Sequence, residues 1–373
     1  MDHAATTPLD KKILDAMLPY LTDEYGNADS PHAFGRKAMH AVDEARDTVA
    51  ALVNAKPSEI YFTSGGTESD NWALISGAKA ARQTGKNHVI ISSIEHHAVL
   101  AAAEGLEKEG FSVTRLSVNA EGRVEPSALE NAITENTGLV AVMAANNETG
   151  VVQPIEALAT LARAKGALFF TDGVQAAPHQ KIDVKEWGVD MLSFSSHKLY
   201  GPKGGGVLYI RNGVKAQGHI VGGEQERGLR GGTTNVPAVV GLAAAYKQCA
   251  LEREETQEKL ARLNALFLEE IRKAGGVTVN GGKERLPAIL NLRIEGVGNA
   301  EFVYAMDLQG VCVAAGSACA SASIKPSHVL LAMGLSEQEA KESVRISFGK
   351  HNTEAEVLQA AKIAVEIIER LRK

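Results

Sequence analysis

Cysteine is scarce: the 373 residues contain three, Cys249, Cys312 and Cys319. An odd, sparse set without CxxC spacing argues against a disulfide framework and against a structural zinc site. A reducing cytoplasm is the simplest home for such a chain. Long apolar runs are missing too. The stretch Ala238–Tyr246 is far too short to span a bilayer, so no membrane segment is expected. The start, Met1-Asp2-His3, has no basic n-region and no apolar h-region, so no signal peptide is expected. There is no excess of positive charge. The formal net charge is -6, which gives no reason to expect nucleic acid as a partner. Internal repeats and low-complexity tracts are also absent.

What is present is the composition of an ordinary globular protein, 45% hydrophobic and 23% charged. The length suits one large domain plus a smaller one. Short apolar stretches read as strands at Ile60–Thr63, His88–Ser92, Leu139–Ala144, Ala167–Asp172, Met191–Ser195 and Gly206–Ile210. Helical patterns at Glu68–Ala81, Ala98–Glu109 and Pro154–Ala164 alternate with them. This alternation predicts an α/β fold with a mostly parallel central sheet, covered on both faces. A long charged helix, roughly Val240–Ala274, then reads as a domain connector. Strand signals follow at Ala288–Ile294 and Val311–Ala315. A final helix opens with Thr353 and Glu356, spaced as a capping box, and carries an apolar stripe of Val357, Ala361, Ala364, Ile368 and Leu371.

Several motifs carry residues suited to chemistry. Lys198 follows a strand end in Ser193-Phe194-Ser195-Ser196-His197-Lys198, where an amine can form a Schiff base with a carbonyl cofactor. Its bland alternative is a solvated lysine beside a glycine turn. Thr63-Ser64-Gly65-Gly66-Thr67 lies between a strand and a helix, where free N–H groups make an anion site. No Gly-Lys-Ser/Thr ends it, so it is not a P-loop. Asp172 closes a strand and faces the crevice where α/β folds bind ligands, with Gln175 just beyond. An acid there can hold a pyridine nitrogen protonated; the competing reading is a helix cap. His96, in Glu95-His96-His97, can stack on an aromatic ring or move protons, and adjacent histidines rarely chelate one metal. No metal site is expected.

Cys319 stands in a polar, small-residue loop, Gly316-Ser317-Ala318-Cys319-Ala320-Ser321-Ala322-Ser323, unlike Cys312 and Cys249, which read as packed small hydrophobes. In Ser343–Phe348, alternation puts Val344, Ile346 and Phe348 on one face and Arg345 opposite. Its guanidinium can clamp a carboxylate bidentately or serve a surface salt bridge.

Taken together, these motifs resemble the NifS/IscS-like cysteine desulfurases, in the class V branch of the fold-type-I pyridoxal-phosphate (PLP) transferases. The resemblance runs from Asp2-His3-Ala4-Ala5-Thr6-Thr7-Pro8 to Arg345-Ile346-Ser347-Phe348-Gly349. Its most specific pieces are Ser193–Gly204, Asn146–Gly150 (NNETG) and Gly316–Ser323. It implies a large PLP-binding domain over residues 12–252. Residues 1–11 and 253–373 would form a smaller α+β domain carrying the cysteine loop. It further implies Lys198 as the Schiff-base lysine, Asp172 on the ring nitrogen, Gln175 on the ring oxygen and His96 stacked on the ring. Gly66, Thr67, Ser195 and His197 would hold phosphate. Thr233 would reach the cofactor phosphate of a partner subunit, which implies a homodimer. Asn147, beside the cofactor, and Arg345 would hold the substrate carboxylate, and Cys319 would take sulfur from L-cysteine as a persulfide, leaving alanine. The onward acceptor would be an Fe–S scaffold or a tRNA-thiolation protein. Selenocysteine lyase, or another class V aminotransferase or lyase, is the alternative activity. The short apolar strand that usually precedes the Asp-His-Ala-Ala-Thr-Thr motif is expected to be missing, costing the small sheet an edge and lowering dimer stability or solubility.

Overall fold

Apolar runs bounded by turn residues build a seven-stranded sheet in a computed structural model that describes residues 1–316 and 325–373. Its strands are β1 (Ile60–Thr63), β2 (His88–Ser92), β3 (Ser112–Leu116), β4 (Thr137–Ala141), β5 (Leu168–Asp172), β6 (Met191–Ser195) and β7 (Gly206–Ile210). They lie in the order β1-β7-β6-β5-β4-β2-β3. All neighbours are parallel except at β7, which runs antiparallel to both β1 and β6. Helices Gly66–Arg82, His97–Lys108, Pro126–Ala132 and Ile155–Ala164 lie between successive strands. Apart from the edge strand β3, the sheet is buried on both faces. Neighbouring Phe169 and Phe170 on β5 point into two different core clusters. Each such burial contributes roughly 1.5–3 kcal/mol. The C-terminal ends of β5 and β6 open onto a crevice above this packed base.

A second, antiparallel sheet has the order β10-β9-β8, from β8 (Val277–Asn280), β9 (Ile289–Ile294) and β10 (Ser343–Ser347). The helix Glu354–Leu371 belongs to this half. Its capping box forms as the spacing predicts: Thr353 Oγ1 accepts from Glu356 N, and Glu356 accepts from Thr353 N at 2.9 Å. Val357, Ala361, Ala364 and Ile368 are buried. The connecting helix runs Val236–Ile271, starting earlier than expected because Asn235 caps it, and ends in a 3-10 turn, Arg272–Ala274.

Two expectations are corrected. Val311–Ala315 forms no strand; only Ala314 bridges Arg345, by N–H···O bonds of 3.1 and 2.7 Å. The outer edge of β10 is divided, with Ala314 at Arg345 and Asp2 at Ser347, so no continuous ladder develops. Cys312 is consequently exposed rather than packed, whereas Cys249 is buried. Among the described residues, no helix is long and apolar enough to cross a membrane.

Candidate active site

A cavity of about 190 Å³ opens at the C-terminal ends of β5 and β6. It is lined by Gly66, Thr67, His96, Asn147, Asp172, Gln175, Ser195, His197, Lys198 and Arg345, together with Ala4, Ala5, Asp70, Met143 and Val174. Ten of the residues singled out from the sequence thus meet in one place. Thr233 does not. It is exposed and lines a separate cleft with Gly204, Gly205 and Gly206. Cys319 lies outside the described residues.

Each lining residue is held by its element. Asp172 is the last residue of β5, and its Oδ1 accepts from Val174 N at 2.8 Å. Burial lifts its pKa to about 6, against the pull of that N–H and of Lys198. Lys198 ends the 3-10 turn Ser196–Lys198 just after β6. Its Nζ donates to the carbonyls of Ala4 and Ala5, the latter at 2.7 Å. Gln175 Nε2 donates to the Ala4 carbonyl at 3.0 Å.

His96 caps the helix His97–Lys108, its Nδ1 accepting from Ala98 N at 3.2 Å. That bond assigns the proton of the neutral ring to Nε2. Burial, then Lys198, depresses its pKa to about 4, so the ring is neutral at physiological pH. His197 is likewise pushed down to about 4, by burial and then Lys198, and its Nδ1 lies 3.1 Å from Thr6 Oγ1.

Gly66 and Thr67 open the helix Gly66–Arg82. A Cβ added at Gly66 would stand 2.9 Å from Val174 Cγ2, so only glycine keeps this neck open. The first N–H groups of a helix lack intrahelical acceptors and favour an anion. Opposite them, Arg345 is 1% exposed. Its Nη2 pairs with Asp2 Oδ1 at 2.8 Å and its Nη1 donates to the Asn147 carbonyl at 2.9 Å. Its Nε is buried with no hydrogen-bond partner among the described residues.

Two acids at the cavity carry no motif of their own in the sequence: Asp70 lines it, and Glu95 holds the backbone of the lining Met143. Asp70 is buried, and its Oδ1 accepts from Ser193 Oγ at 2.5 Å. Burial and then the neighbouring Asp172 raise its pKa well above the carboxylate range. Glu95 accepts from Ser92 Oγ at 2.5 Å and Met143 N at 2.8 Å, and burial raises it to about 8. The signal for Asp70 was its spacing: four residues after Gly66 it shares that residue's helix face. Glu95 carried no such signal, because its burial depends on the packing of β4 against β2.

The class-V aminotransferase family model matches residues 1–359. This chain belongs to the class-V aminotransferases. It is 44% identical over 377 residues to a Clostridium botulinum (strain Hall) protein named "Cysteine desulfurase IscS", covering 100% of this chain and 95% of the relative. A solved structure named "NIFS-LIKE PROTEIN" superposes with a TM-score of 0.93 at 35% identity, over 99% of this chain and 98% of that one. Another, "SspA in complex with cysteine", gives 0.83 at 38% identity, over 94% and 99%.

Enzymes of this family use pyridoxal phosphate, and the residues present fit it. An amine and a buried acid share one cavity with a neutral imidazole and a glycine-opened helix N-terminus. These are the donors that a carbonyl, a pyridine nitrogen, a ring face and a phosphate require.

Proposed function

We propose that this chain is a cysteine desulfurase, transferring sulfur from L-cysteine to Cys319 and releasing L-alanine. The observation that carries the reading is the convergence of Lys198, Asp172 and Arg345 on one cavity. The relatives named for this activity match along the whole chain and support it. Arg345 and the Asn147 side chain hold the substrate carboxylate, with the guanidinium exchanging Asp2 for substrate. Asp172 would hold the ring nitrogen, Gln175 the ring oxygen, and Gly66, Thr67, Ser195 and His197 the phosphate. Pyridoxal phosphate, when bound, supplies the electron sink that lets the substrate Cα–H bond break and the Cβ–S bond weaken. Lys198 Nζ takes the Cα proton. Neutral His96 would face the ring; with Nδ1 engaged and Nε2 protonated, it is a donor rather than a base in this state. The Cys319 thiolate bonds to the substrate sulfur as the Cβ–S bond breaks, and Cβ takes a proton. The balance is L-cysteine plus thiol giving L-alanine plus persulfide.

We infer further that residues 12–252 form the cofactor-binding domain and residues 1–11 and 253–373 the smaller one. The confinement of one sheet to residues 60–210 and of the other to residues 277–347 supports this division. The active unit is read as a homodimer. Thr233, exposed and outside its own chain's cavity, is then free to reach the partner's phosphate. The persulfide passes to an acceptor protein of Fe–S assembly or tRNA thiolation, in the cytoplasm.

The test is product release from L-cysteine with a thiol reductant. Wild type is expected to yield alanine and sulfide, while Cys319→Ala binds cofactor but yields neither. Full activity in Cys319→Ala would sink the reading and turn attention to a lyase or aminotransferase. Selenocysteine turnover without cysteine turnover would select selenocysteine lyase.

A further inference from the structure

Within the turn Asn146–Gly150, Asn146 serves as scaffold, its Oδ1 accepting from Glu148 N at 2.9 Å and Thr149 N at 3.0 Å. Asn147 lines the cavity. Glu148 has no part in the chemistry described above, yet its side chain is buried at 1% exposure. Burying a carboxylate is costly unless it is strongly hydrogen-bonded. Glu148 Oε2 accepts from Ser327 Oγ at 2.6 Å, a short charge-assisted bond. The same Ser327 Oγ accepts from Leu330 N and caps the helix His328–Ala332. His328 Nε2 adds a contact of 3.0 Å to the Glu95 carbonyl.

The other stem arrives at the same carboxylate. Ala314 bridges Arg345, and Gly316 follows at φ +76°. A Cβ added at Gly316 would stand 3.5 Å from Glu148 Oε2 and 3.8 Å from Ser327 Cβ. Gly316 and Ser327 flank the stretch of sequence that contains Cys319. Glu148 is itself fixed from the second sheet, its carbonyl accepting from Asn291 Nδ2 at 3.2 Å.

We propose that Glu148 is a positioning residue for sulfur transfer, tying Ser327, and so the C-terminal stem of the Cys319 stretch, to the turn that delivers Asn147 to the cavity. The inference rests on the desulfurase reading. It predicts a defect in transfer to Cys319 and none in substrate capture.

The experiment uses cofactor-loaded wild type, Glu148→Ala, Glu148→Gln and Ser327→Ala. Three quantities are read: the change in cofactor absorption on adding L-cysteine, the rate at which Cys319 gains one sulfur by mass spectrometry, and hydrogen exchange over residues 325–335. Glu148→Ala and Ser327→Ala are expected to keep the absorption change and to slow sulfur gain by about 10–100-fold, the scale of a misplaced reacting group. Exchange over 325–335 rises in both. Glu148→Gln, whose Oε1 still accepts from Ser327, recovers most of the rate. The proposal is overturned if Glu148→Ala gains sulfur at the wild-type rate, if its loss tracks a lost absorption change, or if Gln is as slow as Ala. If wild type itself gains no sulfur, the desulfurase reading fails separately. Exchange then decides the clamp: raised in Glu148→Ala supports it, unchanged overturns it.

Discussion

The floor of the cavity and its roof hold their polar groups by different means. The floor is made by strand ends and their neighbours. Asp172, Asp70 and Glu95 are all buried, and their hydrogen bonds come from the sheet or the turns leaving it: Val174 N, Ser193 Oγ, Ser92 Oγ and Met143 N. Desolvation raises the pKa of all three, so the charge state of the floor is set by packing. The roof is made by residues 2–5, Asn147 and Arg345. Its cation, Arg345, rests on the Asn147 carbonyl and on the Asp2 carboxylate, and the second of these is a group a substrate carboxylate can replace. A fixed floor suits a cofactor that stays. An exchangeable roof suits a substrate that comes and goes.

The largest effect is expected where floor and roof meet. Lys198→Ala should lower kcat by about 10⁴-fold, the upper range for a lost general base. Steady-state alanine release checks this, and a loss under tenfold would mean another group moves the Cα proton.

Next comes the floor. Glu95 has its pKa raised from 4.5 to about 8, so between those values the folded protein keeps a proton that the unfolded chain has lost. Its stabilising contribution is complete below pH 4.5 and fades as pH rises towards 8, by at most roughly 4–5 kcal/mol. Glu95→Gln preserves the acceptor oxygen and should flatten that decline. Denaturant midpoints of the cofactor-free protein at pH 5 and pH 8 measure it. Parallel declines in both proteins would show that the floor is not set by this acid.

A smaller effect is expected in the roof. Arg345→Lys removes the bidentate geometry, and losing one charge-assisted hydrogen bond, about 1.5–3 kcal/mol, should raise KM for L-cysteine roughly 10–100-fold. If kcat falls instead while KM holds, Arg345 does more than grip the carboxylate. The smallest effect is expected for Asp2→Asn. Asn keeps an acceptor oxygen for Arg345 Nη2, so a neutral hydrogen bond replaces a charge-assisted one at a cost of about 1 kcal/mol, and KM should move no more than about fivefold. A larger shift would mean that residue 2 helps to form the site and does not merely occupy it.

The same contrast explains what the sequence made legible. β1, β2, β6 and β7 fall where continuous apolar runs predict, because a strand buried on both faces leaves an unbroken apolar signature. β4 starts two residues and ends three residues before the expected run, since Val142, Met143 and Ala144 stay apolar and buried beyond the ladder. β3 went unseen: its Ser112, Thr114 and Arg115 belong to a half-exposed edge. Lys198, Asp172 and Gly66 were readable because strand ends and glycine turns mark them locally. The buried state of Asp70 and Glu95, and the pairing of Arg345 with Asp2 across 343 positions, arise only from tertiary packing.

Transfer of sulfur from L-cysteine to Cys319 is read by the mass of the cysteine-bearing peptides after a single turnover. One added sulfur is expected on the Cys319 peptide in wild type, none on those of Cys249 or Cys312, and none anywhere in Lys198→Ala. Alanine formed with no sulfur gained at Cys319, or sulfur gained at Cys312 instead, would contradict it.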